Sequence, residues 1–225
     1  MRRKMTRGKC SICGGTFGKR AMAPHLKLCM ENEAGSGKAG PGAGARKNKT
    51  FYLLVEGRYC RDYWMYVEAA ADAQLATLDE FLRNIWLECC GHMSAFTIRG
   101  KTYSVAPMAE FDDLAMGVEL SEVLTAGMCF EHEYDFGSTT HLTLKVVGAG
   151  EGRIKGRSVR VLAINEPPFI PCSSCGKPAT RICGECAWSD KGWVCDECAQ
   201  GHECGDDMFL PVVNSPRVGV CGYTG

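Results

Sequence analysis

No uninterrupted apolar stretch in the 225 residues approaches the roughly 18–20 that a membrane-spanning helix needs. The basic opening MRRKMTRGKCSICGG also lacks the apolar run of a secretory signal behind it. These absences argue against a membrane partner and lead to the expectation of a reducing cytoplasm, where paired thiols serve as metal ligands more often than as disulfides. Catalytic signatures are missing as well: there is no GxxxxGK[ST], GxSxG or HExxH. The GSGK within EAGSGKAG has neither the earlier glycine nor a strand-to-helix context, and reads as linker. Net charge is absent too, with 26 basic against 26 acidic side chains. That balance conceals an asymmetry, because residues 1–49 carry twelve Lys and Arg against two Glu. The chain reads as a basic arm on an acidic body.

Cysteine, by contrast, is abundant: fifteen residues, an odd number, in a chain that is 45% hydrophobic and long enough for one good core with small satellites. Near the C-terminus Cys172, Cys175, Cys183, Cys186, Cys195, Cys198, His202 and Cys204 form three CxxC pairs closed by HxC. A CxxC turn lets both thiolates reach one ion, and two pairs complete the tetrahedral shell that zinc prefers, so eight ligands suit two ions. Spacing leaves the pairing open. In an interleaved order, Cys172, Cys175, Cys195 and Cys198 share one ion while Cys183, Cys186, His202 and Cys204 share the other. In a sequential order the first four are set against the last four. The interleaved order resembles the cross-brace arrangement of B-box, AN1 and related fingers. Trp188 and Trp193 are expected to supply apolar cover. At the N-terminus Cys10, Cys13, His25 and Cys29 follow C-x2-C-x11-H-x3-C, near the spacing of a C2H2 finger with its last ligand exchanged for Cys. Phe17 and Leu26 stand where such a finger keeps its apolar contacts. Three zinc ions are therefore expected, in closed structural shells. Cys60, Cys89, Cys90 and Cys129 read as plain packing, and Cys221 as either an extra ligand or a spare thiol.

These features divide the chain into a finger over 1–32, a Gly/Ala/Lys linker over 33–49, a core domain over 50–168 and a double-zinc module over 169–225. The expected fold class is α+β, a compact helix-on-sheet core flanked by two small zinc modules. FYLLVEG and DYWMYVEA predict a hairpin turning near Gly57–Arg61. TLDEFLRNIWLECCGH predicts a helix opened by a Thr77/Glu80 capping box and closed by Gly91. SAFTIRG, KTYSVA, MCFEHEYDFG, HLTLKVVG and VRVLAIN predict strands, with a helical turn near LSEVL. Pro167, Pro168 and Pro171 mark the hand-over to the cysteine array.

LDEFLRNIWLECCGHMSAF, followed by YDFGSTTHLTLKV, resembles the plasmid pRi-type, insertion-element passenger (TnpR-like) family over about residues 50–165. The resemblance implies a compact α+β domain and no established activity. Tyr134, Asp135, Phe136 and Gly137 fit its motif and His92 its turn. Ser138, Thr140 and Leu142 stand where the family usually has Asp, Trp and His, and His141 is one position out of register. No serine- or tyrosine-recombinase constellation is present.

Three functions follow as expectations. The first is a non-enzymatic zinc protein whose basic N-terminal finger contacts DNA or RNA through phosphates. The second is a scaffold that engages a protein partner through the C-terminal module. The third is an enzyme with His92 and Asp135, joined by Glu131 or His132, lining a site in the core.

Overall fold

A computed structural model describes residues 6–35, 48–152, 158–189 and 191–225. The chain opens with β1 (Arg7–Cys10), β2 (Thr16–Gly18) and α1 (Lys19–Gly35), followed by β3 (Asn48–Gly57), β4 (Trp64–Ala70) and α2 (Leu75–Leu82). Next come β5 (Ser94–Ile98), β6 (Lys101–Ser104), β7 (Leu114–Ala115), α3 (Leu120–Val123), β8 (Cys129–Tyr134), β9 (Thr140–Gly152) and β10 (Val159–Asn165). The last elements are β11 (Arg181–Cys183), β12 (Trp193–Val194), α4 (Asp196–Ala199) and β13 (Phe209–Pro211). The fold is α+β, with a ten-stranded mixed sheet in the order β2-β1-β10-β4-β3-β9-β8-β5-β6-β7 and a three-stranded sheet β12-β11-β13.

β3 and β4 form the expected antiparallel hairpin. Because side chains alternate across a strand, each of these two strands feeds two cores. Phe51, Leu53, Val55, Met65, Val67 and Ala69 face the main core with α2. Trp64 and Tyr66 face the opposite side, where Met22 and Leu26 of α1 cover them. All seven residues of β4 are buried for this reason. The N-terminal finger is thus joined to the large sheet: β1 pairs with β10, and the finger helix packs on the outer face of the sheet.

Several local expectations need correction. α2 begins at Leu75 after Gln74 and has no side-chain cap. Its first amides are taken instead by a neighbouring segment, Leu75 N donating to Val118 O and Ala76 N to Met116 O, so a Thr77 cap is not needed. The capping box belongs to α3, between Glu119 and Glu122. The helical path does not run to Gly91: it widens into a π turn over Arg83–Leu87 and ends at an extended Glu88. Cys89, Cys90 and His92 consequently lie in a loop. Of the expected linker, residues through Gly35 continue α1 and Asn48 onward belong to β3, while 36–47 lie outside the described residues.

Candidate metal centres

Four groups of Cys and His bring one ligand atom per residue to within 4.8 Å of all the others in the group. The first is Cys10, Cys13, His25 and Cys29. β1 and β2 place the two thiols of the CxxC turn, and α1 supplies His25 and Cys29. Gly14 takes φ +75°, a left-handed conformation that glycine adopts without penalty, and its amide donates to Cys10 O. The Gly15 amide donates to Cys13 Sγ, and Cys13 Sγ lies 3.3 Å from His25 Nε2. Phe17 stacks on the His25 ring at 4.0 Å, which fixes the imidazole plane.

In the C-terminal array the interleaved grouping is the one that forms. Cys172, Cys175, Cys195 and Cys198 meet in one cluster, and Cys183, Cys186, His202 and Cys204 in another. β11 carries Cys183 between β12 and β13, and the first CxxC pair meets the third while the second meets His202 and Cys204. Gly176 at φ +73° closes the first turn, with its amide donating to Cys172 O. The apolar cover differs from expectation. Trp188 is 82% exposed and covers nothing, whereas Val194, Ala199 and Phe209 pack around Cys172 and Cys195.

The fourth cluster, Cys89, Cys90, His92 and Cys221, goes beyond the sequence expectation. Cys89 is half-buried against the main core, as expected, yet it also joins this cluster; Cys90 is exposed and does not pack in the core, and Cys221 is not a spare thiol remote from other donors. Cys90 Sγ lies 3.0 Å from His92 Nε2 and 3.7 Å from Cys221 Sγ, although Cys90 and Cys221 are 131 residues apart in the chain. The CCGH spacing is visible in the sequence. Its fourth member is not, because only the tertiary fold returns the tail to this loop.

Each of the four clusters holds a thiol whose ionisation is opposed by its surroundings. Burial pushes the Cys29 thiol up to about 12, with Cys13 and Cys10 adding to the effect. Contact with Cys89 and Cys221 pushes Cys90 up to about 12, and contact with Cys175, Cys195 and Cys172 does the same to Cys198. Cys186 raises Cys204 to about 11. Burial also opposes ionisation of Cys172, but the amides of Cys175, Cys195 and Ser174 outweigh it and bring that thiol down to about 6. Sulfur atoms this close cannot all ionise against one another, and a divalent cation among them removes the conflict, since a coordinated thiol is deprotonated. Three of the sets offer three thiols and one imidazole, and the remaining one offers four thiols. Both donor sets have the chemistry of structural zinc, and each supplies the four protein donors that a tetrahedral shell takes. The expectation of three ions becomes four candidate sites.

His92 and Asp135 do come together, with His92 Nε2 3.6 Å from Asp135 Oδ2. Each, however, has another commitment. His92 belongs to the fourth cluster, and Asp135 leaves the strand at φ +66° and accepts a hydrogen bond from the fully buried Arg217 at 2.7 Å. Asp135 is buried, unlike the half-buried Glu131 and Glu133 four and two positions before it. His132 is fully buried, its Nε2 2.7 Å from Asp79 Oδ1. A cavity of about 440 Å³ lined by Asp79, Arg83, Glu88 and Ser104 opens beside α2, and neither His92 nor Asp135 lines it.

No protein-family model matches the chain, so the TnpR-like resemblance has no family assignment behind it. No curated protein matches it either. Among solved structures the chain is similar to MM3350, a protein of unknown function from Methanosarcina mazei Go1, with a TM-score of 0.44 and 13% identity over 52% of this chain and 68% of that one.

Proposed function

We propose that this is a non-enzymatic zinc protein whose N-terminal finger binds DNA or RNA through phosphate contacts, with zinc serving to hold the modules in shape. The observation that carries the reading is the finger surface. Arg7, Lys9, Arg20 and Lys27 are all exposed on β1 and α1, while the apolar residues of the same helix, Met22 and Leu26, are spent on the sheet. Clustered cations of this kind release counterions from phosphates and give affinity that depends on salt rather than on sequence. Four complete protein shells leave no open coordination position for catalysis, which favours a binding role over an enzymatic one.

The test is a fluorescence anisotropy titration of the full chain with duplex DNA and single-stranded RNA across a salt series. Affinity should fall as salt rises, with a log–log slope of about −0.9 per phosphate contact on duplex DNA. Replacing Lys9, Arg20 and Lys27 together by Ala should flatten that slope by about two to three. Affinity indifferent to ionic strength, or unchanged in the triple variant, would remove the proposal. A second reading, a protein partner on the C-terminal module, is favoured by Trp188, an 82%-exposed indole on the loop between the two clusters. Absence of nucleic-acid binding together with a protein that co-purifies through 169–225 would move the function there.

A further inference from the structure

We infer that Cys89, Cys90, His92 and Cys221 bind a fourth zinc ion, and that this ion fastens the C-terminal tail to the core domain. The inference is independent of nucleic-acid binding and of the other three clusters.

Geometry separates a metal shell from the alternatives. Tetrahedral zinc, with Zn–S near 2.3 Å and Zn–N near 2.0 Å, sets S···S edges at about 3.8 Å and S···N edges at about 3.5 Å. Here Cys89 Sγ to Cys90 Sγ is 3.6 Å, Cys90 Sγ to Cys221 Sγ is 3.7 Å, and His92 Nε2 to Cys221 Sγ is 3.2 Å. With Cys90 Sγ also 3.0 Å from His92 Nε2, the sulfur–sulfur separations match such a shell, the imidazole nitrogen sits about 0.3–0.5 Å closer than its ideal edge, and both S···S distances are far above the roughly 2.05 Å of a disulfide.

The loop is held in place by groups that are not ligands. The Tyr134 hydroxyl, on a fully buried side chain, accepts from the amides of Cys89 and His92 and donates to Glu88 Oε1. The Gly91 amide donates to the same carboxylate oxygen at 2.6 Å. On the tail side Cys221 takes φ +49°, a conformation L residues seldom adopt, which aims its sulfur at the loop. A zinc shell of three thiolates and one neutral imidazole carries a single net negative charge, and a fixed cation stands next to it. Arg217 is fully buried and directs Nη2 at Cys89 Sγ at 3.4 Å and at Asp135 Oδ2 at 2.7 Å, while its Nη1 donates to Thr140 Oγ1 at 3.0 Å.

The consequence is mechanical. The double-cluster module between β10 and the tail is then held at both ends, on one side by the chain leaving β10 and on the other by the ion. Along the tail, Ser215 Oγ donates to Trp86 O at 2.6 Å and Asn214 Nδ2 to Asn165 O at 2.7 Å. The ion closes the end of this strap.

Metal content of the purified full chain, measured by elemental analysis and native mass spectrometry, provides the test. The wild type should carry four zinc ions, and Cys221→Ser and His92→Ala three each. A second measurement needs no variant. Cys90 and Cys221 are solvent-exposed, so folding alone does not shield them. Alkylation with N-ethylmaleimide, mapped by peptide mass, should label both about tenfold more slowly in the zinc-loaded chain than after chelation. Three ions in the wild type with rapid labelling of Cys221, or four ions in wild type and both variants alike, would overturn the fourth site and leave the others standing. A Cys89–Cys90 or Cys90–Cys221 disulfide found under reducing purification would overturn it as well. A chain that holds no zinc would remove the zinc reading of every cluster, a different and recognisable result.

Discussion

The finger at one end of the chain and the double-cluster module at the other use the same donor chemistry on opposite foundations. In the finger, Cys10 is buried within an apolar cluster that includes Met22, Leu26, Trp64, Tyr66 and Leu162, and β1 is hydrogen-bonded to β10. Among the described residues the module's apolar cluster consists of Cys172, Val194, Cys195 and Ala199, two of the four being candidate ligands themselves, with Ile182 and Cys183 of β11 buried beside it. Where a hydrophobic face is available, a metal is one support among several. Where that face is small, the candidate ligands make up much of the buried cluster, as expected for a segment too short to bury enough surface unaided.

The widest separation between the two ends should come from chelation. Structural zinc contributes on the order of 10 kcal/mol, apparent, in isolated finger peptides. Stripping metal should therefore unfold 172–211 while the β1–β10 pairing persists, with amide exchange collapsing in the first region and staying slow in the second. Loss of both regions together would show that the apolar seam does not stabilise the finger.

A smaller effect is expected from Trp64→Ala. This fully buried indole lies under the finger helix and its Nε1 donates to Thr6 Oγ1 at 3.0 Å. Truncation should cost about 3–5 kcal/mol, read by denaturant unfolding, and should detach the finger without altering the C-terminal clusters. The smallest of the three concerns Gly8→Ala. A Cβ at that position would fall 2.4 Å from the Trp64 ring and 2.6 Å from Ile164 O, so either the ring or the strand must move. A loss of about 1–3 kcal/mol is expected, with metal content unchanged. A neutral Gly8→Ala would mean that the seam between finger and sheet is looser than its packing indicates.

Much of the fold was legible because its signals are local. β8 and β9 alternate apolar and polar residues, and the structure buries Phe130, His132, Tyr134, Leu142 and Leu144 on the inner face accordingly. His141, out of register with the TnpR-like pattern, faces outward beside Glu133. α2 was legible as a helix but not in its ends. Its start is satisfied by residues some forty positions later, and its finish is set by Glu88 serving Arg83, Tyr134 and Gly91 together. WMYVEAA lacks clean alternation because both its faces are covered, and the cover on one of them comes from the N-terminal finger.

By itself, the sequence determined the knuckles: two thiols in a CxxC turn converge on one point because a tight turn leaves them no other geometry, so Cys10/Cys13, Cys172/Cys175, Cys183/Cys186 and Cys195/Cys198 could be paired on sight. Tertiary structure alone decided which knuckle meets which, that the finger joins the large sheet, and that Cys221 reaches Cys90 across 131 residues. The reason is one of distance along the chain. A turn is fixed by a few dihedral angles, whereas long-range convergence depends on the sheet, the buried Arg217 and the tail contacts together, and no spacing rule encodes them.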